Sequence, residues 1–188
     1  MIRPAVSKAL YRWARERARI PEQQLRHRFP NLPAWEEGEA RPTLKQLESF
    51  ARATHAPIGY FFLPVPPVET LPVPDFRSGR GAHGRQPSAN LLDTVYLCQQ
   101  RQEWYRDFAR SVGEAPLAFI GSAHVRSAVV PTAATIRHAL GFDVEERRRM
   151  PTWTDALRRF IEQADALGIL VMCSGVVLNN NRRHLDPE

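Results

Sequence analysis

Apolar positions in the first third of the chain recur every three or four residues, the period of helices that bury one face. Val6, Leu10, Trp13 and Ala14 mark such a face and predict a helix over 7–19. Lys8, Arg12, Arg15 and Arg19 follow a separate, cationic line along the same helix. Leu25 and Phe29 stand four apart behind Pro21, a residue suited to a first turn, and predict a short helix over 21–29. Pro30 and Pro33 bracket Asn31 and Leu32, which leaves room for only a short third helix ending near Glu37. Leu44, Leu47, Phe50 and Ala51 then predict a fourth helix over 43–55. The run Tyr60, Phe61, Phe62, Leu63 predicts a closing apolar turn over 57–63, buried in the resulting core.

The pattern changes at Pro64. Pro64, Pro66, Pro67, Pro72, Pro74 and Pro87, with Gly79, Gly81 and Gly84, exclude regular helix over 64–87. The first half of this connection is expected to be extended and stiff, the second flexible and basic through Arg80 and Arg85. Leu91, Val95, Cys98, Tyr105, Phe108 and Val112, helped by Leu92, Tyr96 and Trp104, predict a long helix from Ser88 to about Val112, stopped by Gly113. Its apolar side is broad enough to pack against more than one neighbour. A helix over 131–140, ended by Gly141, and a charged short helix or turn over 143–150 follow. Thr152 and Asp155 form a cap for a helix over 152–167, with Trp153, Leu157, Phe160, Ile161 and Ala164 on its face. The apolar runs 169–173 and 176–178, broken at Ser174-Gly175, predict buried strand, and Asn179, Asn180 and Asn181 predict a turn.

The stretch 35–51 organises the front of the chain. Gly38 can take a positive φ and end the third helix. Pro42 disfavours helix at Arg41, and Thr43 with Gln46 has the spacing of a capping box. Trp35, Gly38, Pro42, Thr43, Leu47 and Ala51 together resemble the second half of an XRE/Cro-type helix-turn-helix. One departure stands out: the step from Leu25 to Trp35 is about one helical turn (about 3.6 residues) shorter than in that family. Base reading depends on side chains projected from the helix in that space, so weak discrimination among sequences is expected.

The later motifs extend the resemblance. The run Tyr60-Phe61-Phe62-Leu63-Pro64-Val65-Pro66-Pro67 is followed by Leu71-Pro72-Val73-Pro74-Asp75-Phe76-Arg77. Ala166-Leu167-Gly168-Ile169-Leu170-Val171 then leads to Asn181-Arg182-Arg183-His184-Leu185-Asp186. In series they resemble the front of an ImmA/IrrE-type protein with an XRE-like N-terminal domain. The resemblance implies a mainly α fold: an XRE-like helical bundle over 1–63, a Pro/Gly-rich linker over 64–87, and a partial, small helical α+β domain over 88–188. Members of that kind continue into a zinc peptidase helix, or act as antitoxins paired with PIN-like ribonuclease toxins, or as phage-type regulators.

Composition narrows the choice. Apolar content of 43% and charged content of 24% over 188 residues are ordinary for a globular chain. Met1-Ile2-Arg3-Pro4 leads into a charged helix, not an apolar signal region, and the most apolar stretch, 166–178, is too short to span a bilayer. Two cysteines, Cys98 and Cys173, offer neither a disulfide framework nor a zinc cluster. A cytoplasmic protein without membrane contact is the expectation. None of the six histidines is followed by Glu, so the H-E-x-x-H pair is absent, as are P-loop, G-x-S-x-G and G-x-G-x-x-G patterns. No catalytic residue, metal site or cofactor is therefore expected.

Charge is unevenly placed. Residues 1–63 hold 11 Lys/Arg against 6 Asp/Glu, whereas 88–188 hold 12 against 12. A basic excess on the helix-turn-helix part is the footprint of a phosphate-binding face. Arg12, Arg15, Arg26, Arg28, Asn31, Arg41 and Lys45 are the candidate DNA contacts. The reading is a non-enzymatic DNA-binding regulator or antitoxin-like protein, with DNA, a toxin or a second copy as partners. Two others stay open: an N-terminal fragment of an ImmA/IrrE-type metallopeptidase, and an interaction module that has lost DNA binding.

Overall fold

The computed structural model describes residues 2–73, 87–142 and 144–185. Mainly helical, it holds eight α-helices and one two-stranded sheet among those residues. They divide into two compact units, one of Met1–Leu97 with Gly175–Glu188, the other of Cys98–Ser174. The division falls inside a helix and not along the 64–87 segment. Residues 64–73 carry no helix or strand. The flexible, basic stretch expected around Arg80 and Arg85 lies outside the described residues, as do Asp75, Phe76, Arg77 and Asp186 of the quoted motifs.

The first unit begins with α1 (Lys8–Ala18), which ends at Arg19 in the left-handed region. Three helices follow: α2 (Glu22–Arg28), α3 (Leu32–Glu37) and α4 (Leu44–Ala53); a 3-10 turn spans Ile58–Phe62. Local signals set these bounds. Gly38 takes φ 77° and its N–H closes α3 on the Ala34 and Trp35 carbonyls. The Thr43 N–H donates to Gln46 Oε1 at 2.8 Å and the Gln46 N–H to Thr43 Oγ1 at 3.2 Å, the reciprocal pair of a capping box.

Phe50 is the hub of the core. It lies wholly buried, with ring centroids 5.4 Å from Phe29 and 5.8 Å from both Tyr11 and Phe61 in edge-on arrangements. Trp35 stands perpendicular to it at 6.2 Å. Leu10, Trp13, Ala14, Leu25, Leu32, Leu47, Ala51 and Ala56 fill the remaining space. Two expectations need correction here. Leu44 is exposed, because the apolar face of α4 reaches the core only from Leu47 onward. Of the Tyr60–Leu63 run only Phe61 is buried and Tyr60 partly so; Phe62 and Leu63 point outward, since a 3-10 turn presents one residue in three to a given side.

The start of α5 (Ala89–Ser111) and a C-terminal hairpin complete this unit. Strands β1 (Val176–Val177) and β2 (Asn180–His184) pair antiparallel, with Val177 opposite Asn180. The connection is Leu178-Asn179, both at positive φ, the conformation of a two-residue hairpin turn. The sequence placed the turn on Asn179 to Asn181 and strand at 169–173. Neither holds as stated: the turn starts at Leu178, and 169–173 carries no strand. The polar run Asn180-Asn181-Arg182-Arg183-His184 pairs instead, because strand formation here rests on backbone bonds and one buried side chain, Arg183.

In the second unit α6 (Val129–Leu140) and α8 (Trp153–Ala166) pack together, with α7 (Val144–Arg149) between them in sequence. Gly141, at φ 61°, ends α6, and its carbonyl accepts from Gln163 Nε2 at 2.8 Å. Phe142 meets Phe160 edge-on at 5.4 Å. The Asp155 N–H caps onto Thr152 Oγ1 at 3.1 Å, as the spacing predicts. The broad packed face expected of the long helix is not formed: on α5 only Ala89 and Leu92 are buried, and Phe108 and Trp104 are exposed. Trp153, Leu157 and Phe160 on α8 are exposed as well, leaving Leu140, Ala156 and Ala164 as the buried apolar residues of this unit.

Candidate nucleic-acid interface

The seven candidate DNA contacts fall into different electrostatic surroundings. Arg15, on α1, is half-buried, with Nε 3.5 Å from Glu36 Oε1 and Nη1 3.9 Å from Glu22 Oε2. Arg26, on α2, forms an ion pair with the same Glu22. Two carboxylates thus stand beside these two guanidinium groups and weaken the field they would offer a phosphate. Arg12, Arg28, Arg41 and Lys45 are exposed and form no ion pair among the described residues. The Arg28 guanidinium carbon lies over the Phe29 ring, 5.4 Å from its centroid, while the side chain stays exposed. Asn31 precedes α3 and is exposed, and its side chain caps nothing.

The third helix itself offers little for base reading. It has six residues, of which Leu32 and Trp35 are in the core. Pro33, Ala34, Glu36 and Glu37 remain, with no long donor among them; Glu36 is paired with Arg15, and the exposed Glu37 carboxylate repels phosphate.

The structure brings further cations to Arg41 and Lys45. Arg3 Nη1 donates to the Arg41 carbonyl at 2.6 Å, and the Leu44 N–H donates to the Ile2 carbonyl at 3.2 Å. Residues 2–3 thus lie along the loop that leads into α4. Lys8 crosses the same loop: a Cβ on Gly38 would sit 2.5 Å from its Cε and 3.1 Å from its Nζ. Lys8 was legible as part of the cationic line of α1, but nothing local ties Lys8 or Arg3 to a loop that lies 30 and 38 residues further on at the contacts they make.

Arg17 is a different case. It is 5% exposed, its Nη2 meets Glu69 Oε1 at 3.0 Å, its Nε also binds that carboxylate, and Nη1 donates to the His55 carbonyl at 2.9 Å. This forked pair pins the proline-rich run onto the bundle. A second polar cluster lies where the hairpin meets α5. Arg183 donates to Asn90 Oδ1 from Nε at 3.0 Å and from Nη2 at 2.8 Å, and Nη2 also reaches Asp93 Oδ2 at 2.7 Å. An open groove of about 470 Å³ beside it is lined by Glu48, Arg52, His55, Asp93 and Arg183 over Ala51, Ala56, Pro57 and Ile58. Burial holds the His55 imidazole below its usual range, and the Arg183 charge adds to this against a smaller opposing effect of Asp93. No group of three or more His, Cys, Asp or Glu side chains among the described residues converges on a metal position. No described helix is long and apolar enough to cross a membrane.

Comparison with protein-family profiles, with curated proteins and with solved structures finds no match to this chain.

Proposed function

We propose that the chain is a non-catalytic, cytoplasmic regulator of the antitoxin-like kind, built on an XRE-like bundle that holds duplex DNA by its phosphates. One observation carries this reading: four of the seven candidate contacts, Arg12, Arg28, Arg41 and Lys45, stand exposed without an ion pair among the described residues. Exposed unpaired cations on a rigid core are what counterion release requires. The short third helix, with no long donor and the exposed Glu37, supports affinity with little sequence preference. The ImmA/IrrE-type resemblance supports a toxin, such as a PIN-like ribonuclease, as the protein partner.

A gel-shift titration of random-sequence duplex at rising salt tests the DNA reading. Binding should weaken steeply, each neutralised phosphate adding about 0.9 to the slope of log K against log salt. Absence of binding at low salt, or tight binding indifferent to salt, would remove it. A second reading, an interaction module without DNA binding, is favoured by the exposed Trp104, Phe108 and Trp153 of the second unit. Co-purification with a partner by a chain that shows no shift would select it.

A further inference from the structure

We propose that Arg3 and Lys8 join Arg41 and Lys45 in the phosphate clamp by which the bundle grips duplex DNA. This rests on the DNA-binding reading and names the part of the surface that carries it.

The loop between α3 and α4 is held from two sides. Arg3 reaches it from the amino-terminal segment through the Arg41 carbonyl, at 2.6 Å, and Lys8 crosses it from α1 over Gly38. Gly38 leaves room for the far end of the Lys8 side chain, whose Cε would lie 2.5 Å from a Cβ placed there. Four exposed cations, Arg3, Lys8, Arg41 and Lys45, thereby gather around one short segment whose own acids are Glu37 and Glu39. None of the four forms an ion pair among the described residues. One Nη1 hydrogen of Arg3 is spent on the loop carbonyl, which fixes the guanidinium while its other donors stay available.

The contrast with Arg15 and Arg26 decides which cations act. Arg15 pairs with Glu22 and Glu36, and Arg26 with Glu22, so binding a phosphate there competes with ion pairs already made. At the loop a phosphate replaces only water and mobile counterions. Arg3, held by the Arg41 carbonyl, also loses less side-chain freedom on binding than a free arginine would.

The test uses the full chain and a random-sequence 20-base-pair duplex, followed by fluorescence anisotropy at several salt concentrations. R3A/K8A should weaken binding by about tenfold or more and lower the log–log salt slope by about 2, as expected for two lost phosphate contacts. R15A/R26A should change affinity by less than about twofold, and R3K/K8R should bind as wild type. If wild type binds but R3A/K8A matches it, or if R15A/R26A is the weaker variant, the clamp is wrong while DNA binding stands. If wild type does not bind at low salt, both the DNA reading and the clamp fall. Circular dichroism of each variant separates a lost contact from a lost fold.

Discussion

Single residues in the first unit differ sharply in how much they carry, and Phe50 carries most. Its ring meets four other aromatic rings at 5.4 to 6.2 Å, and it has no exposed surface. Truncation removes the transfer energy of the ring, leaves a cavity and loses the edge-on contacts. Phe50→Ala should therefore cost about 3–5 kcal/mol, a large share of the roughly 5–15 kcal/mol that holds a domain together. Urea unfolding followed by circular dichroism measures it; a loss below about 1 kcal/mol would deny Phe50 its central place. Phe50 was visible in the helical spacing, but Tyr11 was not. Tyr11 follows Leu10 in a face already accounted for, and its phenol is pushed far above its usual range by burial. Arg17 was equally hidden, because the acid that neutralises it, Glu69, lies 52 residues away in a segment with no periodicity to read.

At the scale of elements, helices were legible, and of the sheet only β1, which falls within the apolar run predicted as strand at 176–178, for one physical reason. Helix ends are decided by neighbours in sequence: the Thr43–Gln46 box, the left-handed Gly38 and Gly141, and the Thr152 cap all act within a few residues. The hairpin depends instead on contacts across some 90 residues. Arg183, on a strand of otherwise exposed polar residues, is held by Asn90 and Asp93, and Asn90 Nδ2 returns a bond to the His184 carbonyl at 2.8 Å. No period-two apolar pattern marks β2, so the apolar runs at 169–173 and 176–178 attracted the assignment, and only the second is strand. This clasp is testable. Arg183→Met should destabilise the chain by about 2 kcal/mol, less than for a fully buried pair because the Asp93 carboxyl is a quarter exposed. Adding Asp93→Leu should recover part of that loss, since the residual cost comes from a carboxylate left unpaired. Equal stability of the single variant and wild type in urea would show that the hairpin does not depend on this pair.

The two units differ as whole bodies in how far each satisfies its own apolar surface, and that difference motivates a partner. The first has a closed aromatic core, whereas in the second the buried apolar side chains among the described residues are Leu140, Ala156 and Ala164. Trp104 and Trp153 are 69% and 71% exposed, and the Trp104 ring stacks on Phe108 6.0 Å away without covering either. Large exposed aromatic groups are the side chains that dominate contact energy when a second protein covers them. Light scattering of the full chain at rising concentration should show an increase in mass if a second copy is the cover. Trp104→Ser with Trp153→Ser should then reduce that mass while leaving helical content within a few per cent of wild type. A toxin as the cover would instead give a monomer alone and a stable complex with the toxin, weakened by the same two substitutions. A chain that stays monomeric and whose substitutions alter no complex would leave the exposed tryptophans without a role in association.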